Sequence, residues 1–449
     1  MKSFAFSEHG NVKGWMKKRR LCLRYGLRYI HATECYLTRD LLQNTEDGPK
    51  KVRDNYHTVL IAKDDEGLRE LNSLLSMASD KDHFFYVPRI TFQEFVSISN
   101  HIISTSACLA SPLNKLDLDD PWYERLVNAY TYLEIQPHNS DDQAAYNIHL
   151  ASLAQKYHKP LILGTDAHSV SPYKDECRDI LLDFKHQYYA GEDDFDMVFH
   201  TYDDICDMLI LQDALPGSLW REALENTNRM ADQIEEYTID GGHKYPILYG
   251  SPEKDEEVFR KNVWDSLDQK LNAGIIKPEQ EQPYREALTE ELDTFSKLGM
   301  SGFMEFTSEM CRWCHDNGIM TGPGRGSVSG SRAAFVTDIT DVDADRWQTI
   351  FSRFCNSERV SLGDIDTDVI ESDRPKIFKY LIERFGEAKT ARVPSYGTIQ
   401  GKKGIAIIYG ALKERWKREH PDSDANSNPY RDSVMKASKA EFESDEASF

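Results

Sequence analysis

Short apolar runs mark out the first part of the chain. Val59-Leu60-Ile61-Ala62, His101-Ile102-Ile103-Ser104, Tyr132-Leu133-Glu134-Ile135 and Leu161-Ile162-Leu163-Gly164 each have the length of a buried strand. Between them, residues 66–77 and 143–156 carry helical periodicity. Strands that alternate with helices predict an α/β layout, a barrel with a site at the C-terminal strand ends. Residues 193–239 then read as helices, and Tyr245-Pro246 begins a connecting segment. Residues 284–298 form an amphipathic pattern stopped by Gly299, and Gly302-Phe303 starts the next helix. A helix is expected over 374–385, closed by Gly386, and from His420 onward the chain is polar, turn-rich and expected to be disordered.

The pattern changes between Thr321 and Asp368. Gly322-Pro323-Gly324-Arg325-Gly326-Ser327-Val328-Ser329-Gly330-Ser331 follows the apolar pair Ile319-Met320, and residues 327–336 are small and apolar. This predicts a strand-to-helix turn whose glycines let backbone N–H groups approach an anion at a helix N-terminus. Arg325 offers a planar fork of donors to phosphate oxygens, and Ser327 stands where an N-cap hydroxyl would. Downstream, Asp364, Asp366 and Asp368 alternate with Ile365, Thr367 and Val369, which predicts a strand with its carboxylates on one face. Like charges so close call for a cation between them, and hard oxygen ligands suit Mg²⁺ or Mn²⁺. A phosphate cradle followed by paired carboxylates points to metal-assisted phosphoryl or nucleotidyl transfer. The plain alternative for the carboxylates is a solvated edge strand.

Composition narrows the class. A chain of 449 residues suffices for two or three domains with real cores. No apolar run reaches the length of a membrane span and no signal peptide precedes Ser3-Phe4-Ala5-Phe6, so a cytoplasmic protein with no membrane partner is expected. Eight cysteines in so long a chain do not suggest a disulfide scaffold. The net charge of −21 argues against an isolated nucleic-acid-binding module. An enzyme can still hold DNA in a local basic groove. Of two basic clusters, Lys13, Lys17, Lys18, Arg19, Arg20, Arg24 and Arg28 read as a solvated helix face. The other, Lys402, Lys403, Lys413, Arg415, Lys417 and Arg418, is the better candidate for DNA or triphosphate contact. Cys311-Arg312-Trp313-Cys314-His315 spells a c-type haem string, but that attachment requires export, and the two cysteines are expected to face a core.

Several metal-ligand residue types stand beside the N-terminal strands. His9 follows Phe4-Ala5-Phe6, Glu34 follows Tyr29-Ile30, and His57 precedes 58–62. Cys108 follows 101–104, and Asp166 and His168 follow 161–164. Imidazole, carboxylate and thiolate together suit Zn²⁺ or Mn²⁺, although each residue taken singly is more often an ordinary polar side chain.

Two sets of motifs resemble a known family. Gly322 to Ser331, then Phe351-Ser352-Arg353-Phe354-Cys355-Asn356-Ser357-Glu358-Arg359-Val360-Ser361-Leu362-Gly363-Asp364-Ile365-Asp366-Thr367-Asp368, is similar to the loop and carboxylate strand of the C-family bacterial replicative DNA polymerases, with Gly363 in place of the usual proline. Tyr396-Gly397-Thr398-Ile399-Gln400-Gly401-Lys402 resembles a further segment of that family and makes Lys402 a candidate phosphate contact. Ser7-Glu8-His9-Gly10, Thr33-Glu34-Cys35-Tyr36, His57, Ser106-Ala107-Cys108-Leu109 and Thr165-Asp166-Ala167-His168 resemble the PHP (polymerase and histidinol phosphatase) domain that begins these polymerases. The resemblance implies ligand roles for His9, Glu34, His57, Cys108, Asp166 and His168 around Zn²⁺ or Mn²⁺. His138 lies near a family landmark and is not counted among them.

The resemblance implies an α/β fold: a PHP-type (β/α) barrel without its usual first strand and that strand's H-x-H ligands, a helical connector, and part of a β-type nucleotidyltransferase palm. The expected boundaries are 1–210, 211–283 and 284–395, with 396–449 as the start of a thumb and a polar tail. It further implies a DNA-directed DNA polymerase α-subunit fragment that performs templated nucleotidyl transfer from dNTPs. Asp364 and Asp366 would hold Mg²⁺ as catalytic ligands, Asp368 being structural, and Gly324, Arg325, Gly326, Ser327 and Lys402 would hold the triphosphate. Primer–template DNA, dNTPs and other replisome subunits would be partners. The family's third carboxylate arrives far downstream on a neighbouring strand, and no such strand is read after Asp368. The chain is therefore expected to be inactive alone and to need a second polypeptide. The alternatives are a PHP-type phosphoesterase or 3′–5′ exonuclease, and a non-catalytic scaffold.

Overall fold

The structure is a computed structural model that describes residues 2–45, 47–186, 195–241, 245–356, 363–393, 395, 397, 399–421, 429, 430, 432–434 and 436, without the side chain of Lys402. Residues 357–362, Tyr396, Thr398, the Lys402 side chain and most of the tail, all named above, lie outside the described residues.

The chain forms two compact units: Met1–Ile239 together with Thr398–Phe449, and Asp240–Gly397. The first is mixed α/β. Its strands are β1 (Ser3–His9), β2 (Arg28–Thr38), β3 (Leu42–Thr45), β4 (Gly48–Lys51), β5 (Tyr56–Ala62), β6 (Arg89–Thr91), β7 (Ile102–Thr105), β8 (Leu133–Ile135) and β9 (Leu161–Leu163). All four expected strands are present, and the helices Asp65–Ala78 and Asp141–Tyr157 contain the two expected helical patterns. The main sheet runs β1-β2-β5-β7, with β6 also paired to β2. It mixes directions: β1 and β6 lie parallel to β2, while β5 is antiparallel to both β2 and β7. A bridge from Thr105 to Tyr132 carries the sheet toward the parallel pair β8-β9.

β2 is buried along almost its whole length, including His31, Thr33 and Glu34. One core gathers Leu37, Leu60, Leu71, Ile90, Phe92, Phe95 and Leu133 with helical residues Trp220 and Ala223. The helix Gly217–Asp232, placed by sequence in a connector, thus belongs to the first core. The N-terminal basic cluster is partly structural: Arg28 donates to the Ala231 and Ile234 carbonyls at the end of that helix, and Arg19 to the Tyr237 carbonyl.

The second unit is helical around its core. Pro252–Asn272, Glu281–Leu298 and Ser301–Asp316 pack Phe259, Val263, Leu288, Phe295 and Met304 against Ala333, Ala334 and Val336. Gly299 closes the second of these helices at φ 67°, the left-handed turn anticipated for it. Cys311 and Cys314 are fully buried on the third helix, as core-facing cysteines should be. Among the described residues no helix is long and apolar enough to cross a membrane.

Candidate functional sites

In the first unit, strand register brings distant donors together. β1 is parallel to β2, which sets His9 opposite Glu34, and β2 is antiparallel to β5, which sets His57 opposite Tyr36. Glu34 is buried, and its Oε1 lies 3.2 Å from His9 Nδ1 and 3.1 Å from His57 Nδ1. Neither approach has hydrogen-bond geometry, and Oε1 is a buried carboxylate oxygen without a hydrogen-bond partner. Burial works to raise the Glu34 pKa, but the His9 contact and the charges of His57, His9 and His168 outweigh it and hold the carboxyl below its usual range.

His168 reaches the same place: its Nε2 is 2.9 Å from His9 Nε2, and its Nδ1 bonds the Asp166 carbonyl at 2.7 Å. Cys108 Sγ is 3.4 Å from His57 Nδ1. Burial and the charges of Asp166 and Glu34 push its thiol well above the ordinary value. Asp166 at φ 46° and Ala107 at φ 53° are left-handed non-glycine residues beside these donors, a strain of the kind that collects at functional sites. The predicted ligands therefore lie together: His9, Glu34, His57, Cys108 and His168 meet through side-chain contacts, and Asp166 joins them at least through its backbone oxygen and its charge. Their donor atoms face one another, and among the described residues no three are disposed to hold a metal ion as they stand.

Sequence reasoning missed Glu134. It sits inside β8, buried, and accepts from the Thr105 hydroxyl and, at 3.1 Å, from Gln136 Nε2. Burial dominates, with Asp166 and Glu34 adding to it, and its pKa is pushed up to about 7 against those two hydrogen bonds. Gly164, just after β9, makes room for it, because a Cβ there would overlap the Glu134 carboxyl. The signal was an acidic residue inside a three-residue apolar strand. His138, also buried, is lowered to about 4 chiefly by burial.

In the second unit the glycine loop and the carboxylate segment do meet. Instead of a regular strand, isolated antiparallel bridges join Thr321 to Val369 and Arg325 to Asp366. The alternation is as expected: Asp364, Asp366 and Asp368 are exposed while Ile365, Thr367 and Val369 are half-buried. Gly322 N–H donates to the Asp368 carbonyl at 2.8 Å, and a Cβ at Gly322 would sit 3.0 Å from Asp368 Cβ. Gly324 takes φ 136°, and a Cβ there would overlap Thr340 Oγ1. The Arg325 guanidinium lies 3.2 Å from Asp368 Oδ1 and 3.7 Å from Asp366 Oδ2.

The expected helix N-terminus differs. Residues Gly326–Gly330 form a 3₁₀ turn, and the α-helix is only Arg332–Val336. Its N-cap is Ser331, whose hydroxyl accepts from Ala334 N–H, so Ser327 does not cap it. The first N–H groups are already bonded to an internal anion. The buried Glu291 carboxylate accepts from Arg332 N–H at 3.0 Å, Ala333 N–H at 3.0 Å and the Ser331 hydroxyl at 2.7 Å. The α-helix thus begins only at Arg332, and its anion-binding end is occupied from within the fold.

The second basic cluster also differs. In the first unit, Arg415 and Arg418 on the helix Gly401–Glu419 both pair with Asp183, Arg418 at 2.6 Å, so these two charges are engaged inside the protein.

The family model for the PHP domain matches residues 1–140, and the model described as bacterial DNA polymerase III alpha NTPase domain matches residues 257–447. Proteins named DNA polymerase III subunit alpha are similar over most of the chain. That of Aquifex aeolicus is 29% identical across 92% of this chain and 37% of its own length. Those of Borreliella burgdorferi and Helicobacter pylori J99 are each 27% identical, across 92% and 93% of this chain and 36% of their own lengths. The chain thus carries matches to a PHP domain and to a bacterial DNA polymerase III alpha NTPase domain, and it is similar over most of its length to DNA polymerase III α subunits, so the resemblance read from the motifs is borne out. The chain spans a little more than a third of the length of these relatives.

Proposed function

We propose that the chain is the part of a DNA polymerase α subunit that binds dNTP and Mg²⁺ for templated nucleotidyl transfer. The observation that carries this reading is the bridge between Arg325 and Asp366, which holds a phosphate-type donor against a row of exposed carboxylates. We read this region as the first part of a β-type nucleotidyltransferase palm. Asp364 and Asp366 would hold Mg²⁺, and Gly324, Arg325, Gly326 and Ser327 would hold the triphosphate. Held by these carboxylates, Mg²⁺ would supply neutralisation of phosphate charge and activation of the attacking hydroxyl. Arg325 acts as an internal counter-cation for Asp366 and Asp368, and nucleotide binding transfers its guanidinium from carboxylate to phosphate. With Glu291 filling the helix end, the phosphate rests on the loop backbone and Arg325 rather than on a helix dipole. Primer–template DNA and replisome subunits are the implied partners, in the cytoplasm. Calorimetric titration of Mg²⁺–dATP into the purified chain should show binding that Asp364→Asn weakens. Equal affinity in the two proteins would contradict this reading.

A second reading is supported by the donors around Glu34: the first unit as a PHP-type barrel with a metal-dependent phosphoesterase or 3′–5′ exonuclease site. The orphaned Glu34 oxygen between two imidazoles fits a cation, and hydroxyl-free N, O and S donors suit Zn²⁺ or Mn²⁺. His9, Glu34, His57, Cys108, Asp166 and His168 would hold it. The metal content of purified protein should fall in Asp166→Ala and in His168→Ala, and unchanged content in both would remove this reading. Phosphoesterase activity should survive Asp364→Asn.

A further inference from the structure

Residues 83–88 form a turn that leads into β6 and is tied to the first site through Pro88. A Cβ at Gly10 would lie 3.2 Å from Pro88 Cδ and 3.1 Å from Tyr36 Cε2, so both rings pack on the backbone next to His9. The Tyr36 hydroxyl is 3.0 Å from His9 Nδ1, and Tyr36 pairs with Arg89 at the start of β6. Tyr86 stands two residues before Pro88, so the two Cα atoms are within about 7 Å of each other.

Tyr86 is held in a conformation that a bulky residue rarely takes. Phe85 and Val87 bridge antiparallel on either side of it, and its φ is 62°. A turn tip of this geometry ordinarily carries Gly or Asn. Here it carries an aromatic side chain that is 74% exposed. The turn is fastened from beneath. Lys51 Nζ donates to the Lys81 and Phe84 carbonyls at 2.6 and 2.8 Å, and the Arg89 guanidinium lies over the Phe85 ring. The Arg53 guanidinium stands 5.6 Å from the Tyr86 ring centroid. Three acids of the surrounding segments have local partners: Asp47 pairs with Lys50 at 2.7 Å, Asp80 with His83 at 2.9 Å, and Asp54 accepts from the Arg39 N–H at 3.4 Å. What projects furthest from the turn is the Tyr86 ring with a cation beside it, next to the partly exposed Phe84 ring.

We propose that Tyr86, with Arg53 against its ring, is a stacking platform for a nucleobase of a single-stranded nucleic acid whose phosphodiester is presented to the site around Glu34. The proposal rests on the phosphoesterase reading of that site. A ring and a guanidinium together serve a nucleic-acid strand well, because every base has a face to stack and every linkage a charge to neutralise. A protein partner would be better met by a contiguous apolar patch.

The test uses the full chain and two short single-stranded oligonucleotides. One carries 2-aminopurine at its 3′ end, and the other has an abasic residue there. In EDTA, wild type and Tyr86→Phe should quench the 2-aminopurine and bind that strand about tenfold more tightly than the abasic one. Tyr86→Gly keeps the positive φ without a ring, so it should lose both the quenching and the preference. Equal quenching by wild type and Tyr86→Gly, or no preference in wild type, overturns the platform. Hydrolysis of both strands with Mn²⁺ is then followed separately. If wild type cleaves neither strand, the phosphoesterase reading fails while the quenching result still decides the platform. If wild type and Tyr86→Gly cleave both strands equally, that reading stands and the platform falls.

Discussion

Glu134 combines burial with nearby carboxylates, and its protonation should be visible in stability. Its folded pKa of about 7 lies above the usual carboxyl value. Between about pH 4.5 and pH 7 the unfolded chain has lost this proton while the folded one keeps it, so stability falls as pH rises through that window. His31 and His138, lowered to about 4 by burial, act in the opposite sense below their unfolded value. The difference between variants therefore isolates the carboxyl. Metal-free Glu134→Gln should gain roughly 1–3 kcal/mol over wild type on going from pH 5 to pH 8, read from urea unfolding. A constant difference across that range would show that Glu134 is already ionised. At Gly324, both the positive φ and the overlap with Thr340 oppose a side chain. Gly324→Ala should destabilise the second unit by about 1–3 kcal/mol, and an unchanged unfolding midpoint would mean that the loop is free to move.

At the scale of elements, Glu291 and the short helix Arg332–Val336 form one device. Removing the carboxylate leaves two buried N–H groups and the Ser331 hydroxyl without their acceptor, so Glu291→Ala should cost about 2–4 kcal/mol. Denaturant unfolding of the second unit checks this, and a loss under 1 kcal/mol would argue that water replaces the carboxylate. Periodicity made the strands around 59–62 and 161–164 readable, because a buried strand needs an unbroken apolar run. The residues that meet around Glu34 were readable one by one from their places beside strands. Their convergence was not, since it depends on the registers of β1, β2 and β5, which no local pattern encodes. The stretch 327–336 misled for a related reason. Small residues permit a helix, but a buried glutamate some 40 residues upstream decides where it begins.

At the scale of the molecule, the chain returns to its first unit after leaving it. The helix Gly401–Glu419 packs against Pro172–Lys185, with Gly410 close to the Phe184 ring and Asp183 gripping Arg415 and Arg418. Nothing in the basic pattern of that helix announced this, because a lysine- and arginine-rich face reads the same whether it meets phosphate or a buried aspartate. Asp183→Ala removes the carboxylate that Arg415 and Arg418 share, so amide exchange over 401–419 should quicken by about tenfold or more. Unchanged exchange would assign the docking to apolar packing alone. The account as a whole turns on the loop 322–330 and the carboxylates 364–368 acting as one nucleotide site. Calorimetric titration of Mg²⁺–dATP into wild type and Arg325→Ala tests this most directly. The variant should bind the nucleotide more weakly by roughly 1.5–3 kcal/mol, the worth of a charge-assisted hydrogen bond. Titrated with Mg²⁺ alone it should bind more tightly than wild type, because Asp366 and Asp368 have lost their internal counter-cation. Equal nucleotide affinity in the two proteins would contradict the account.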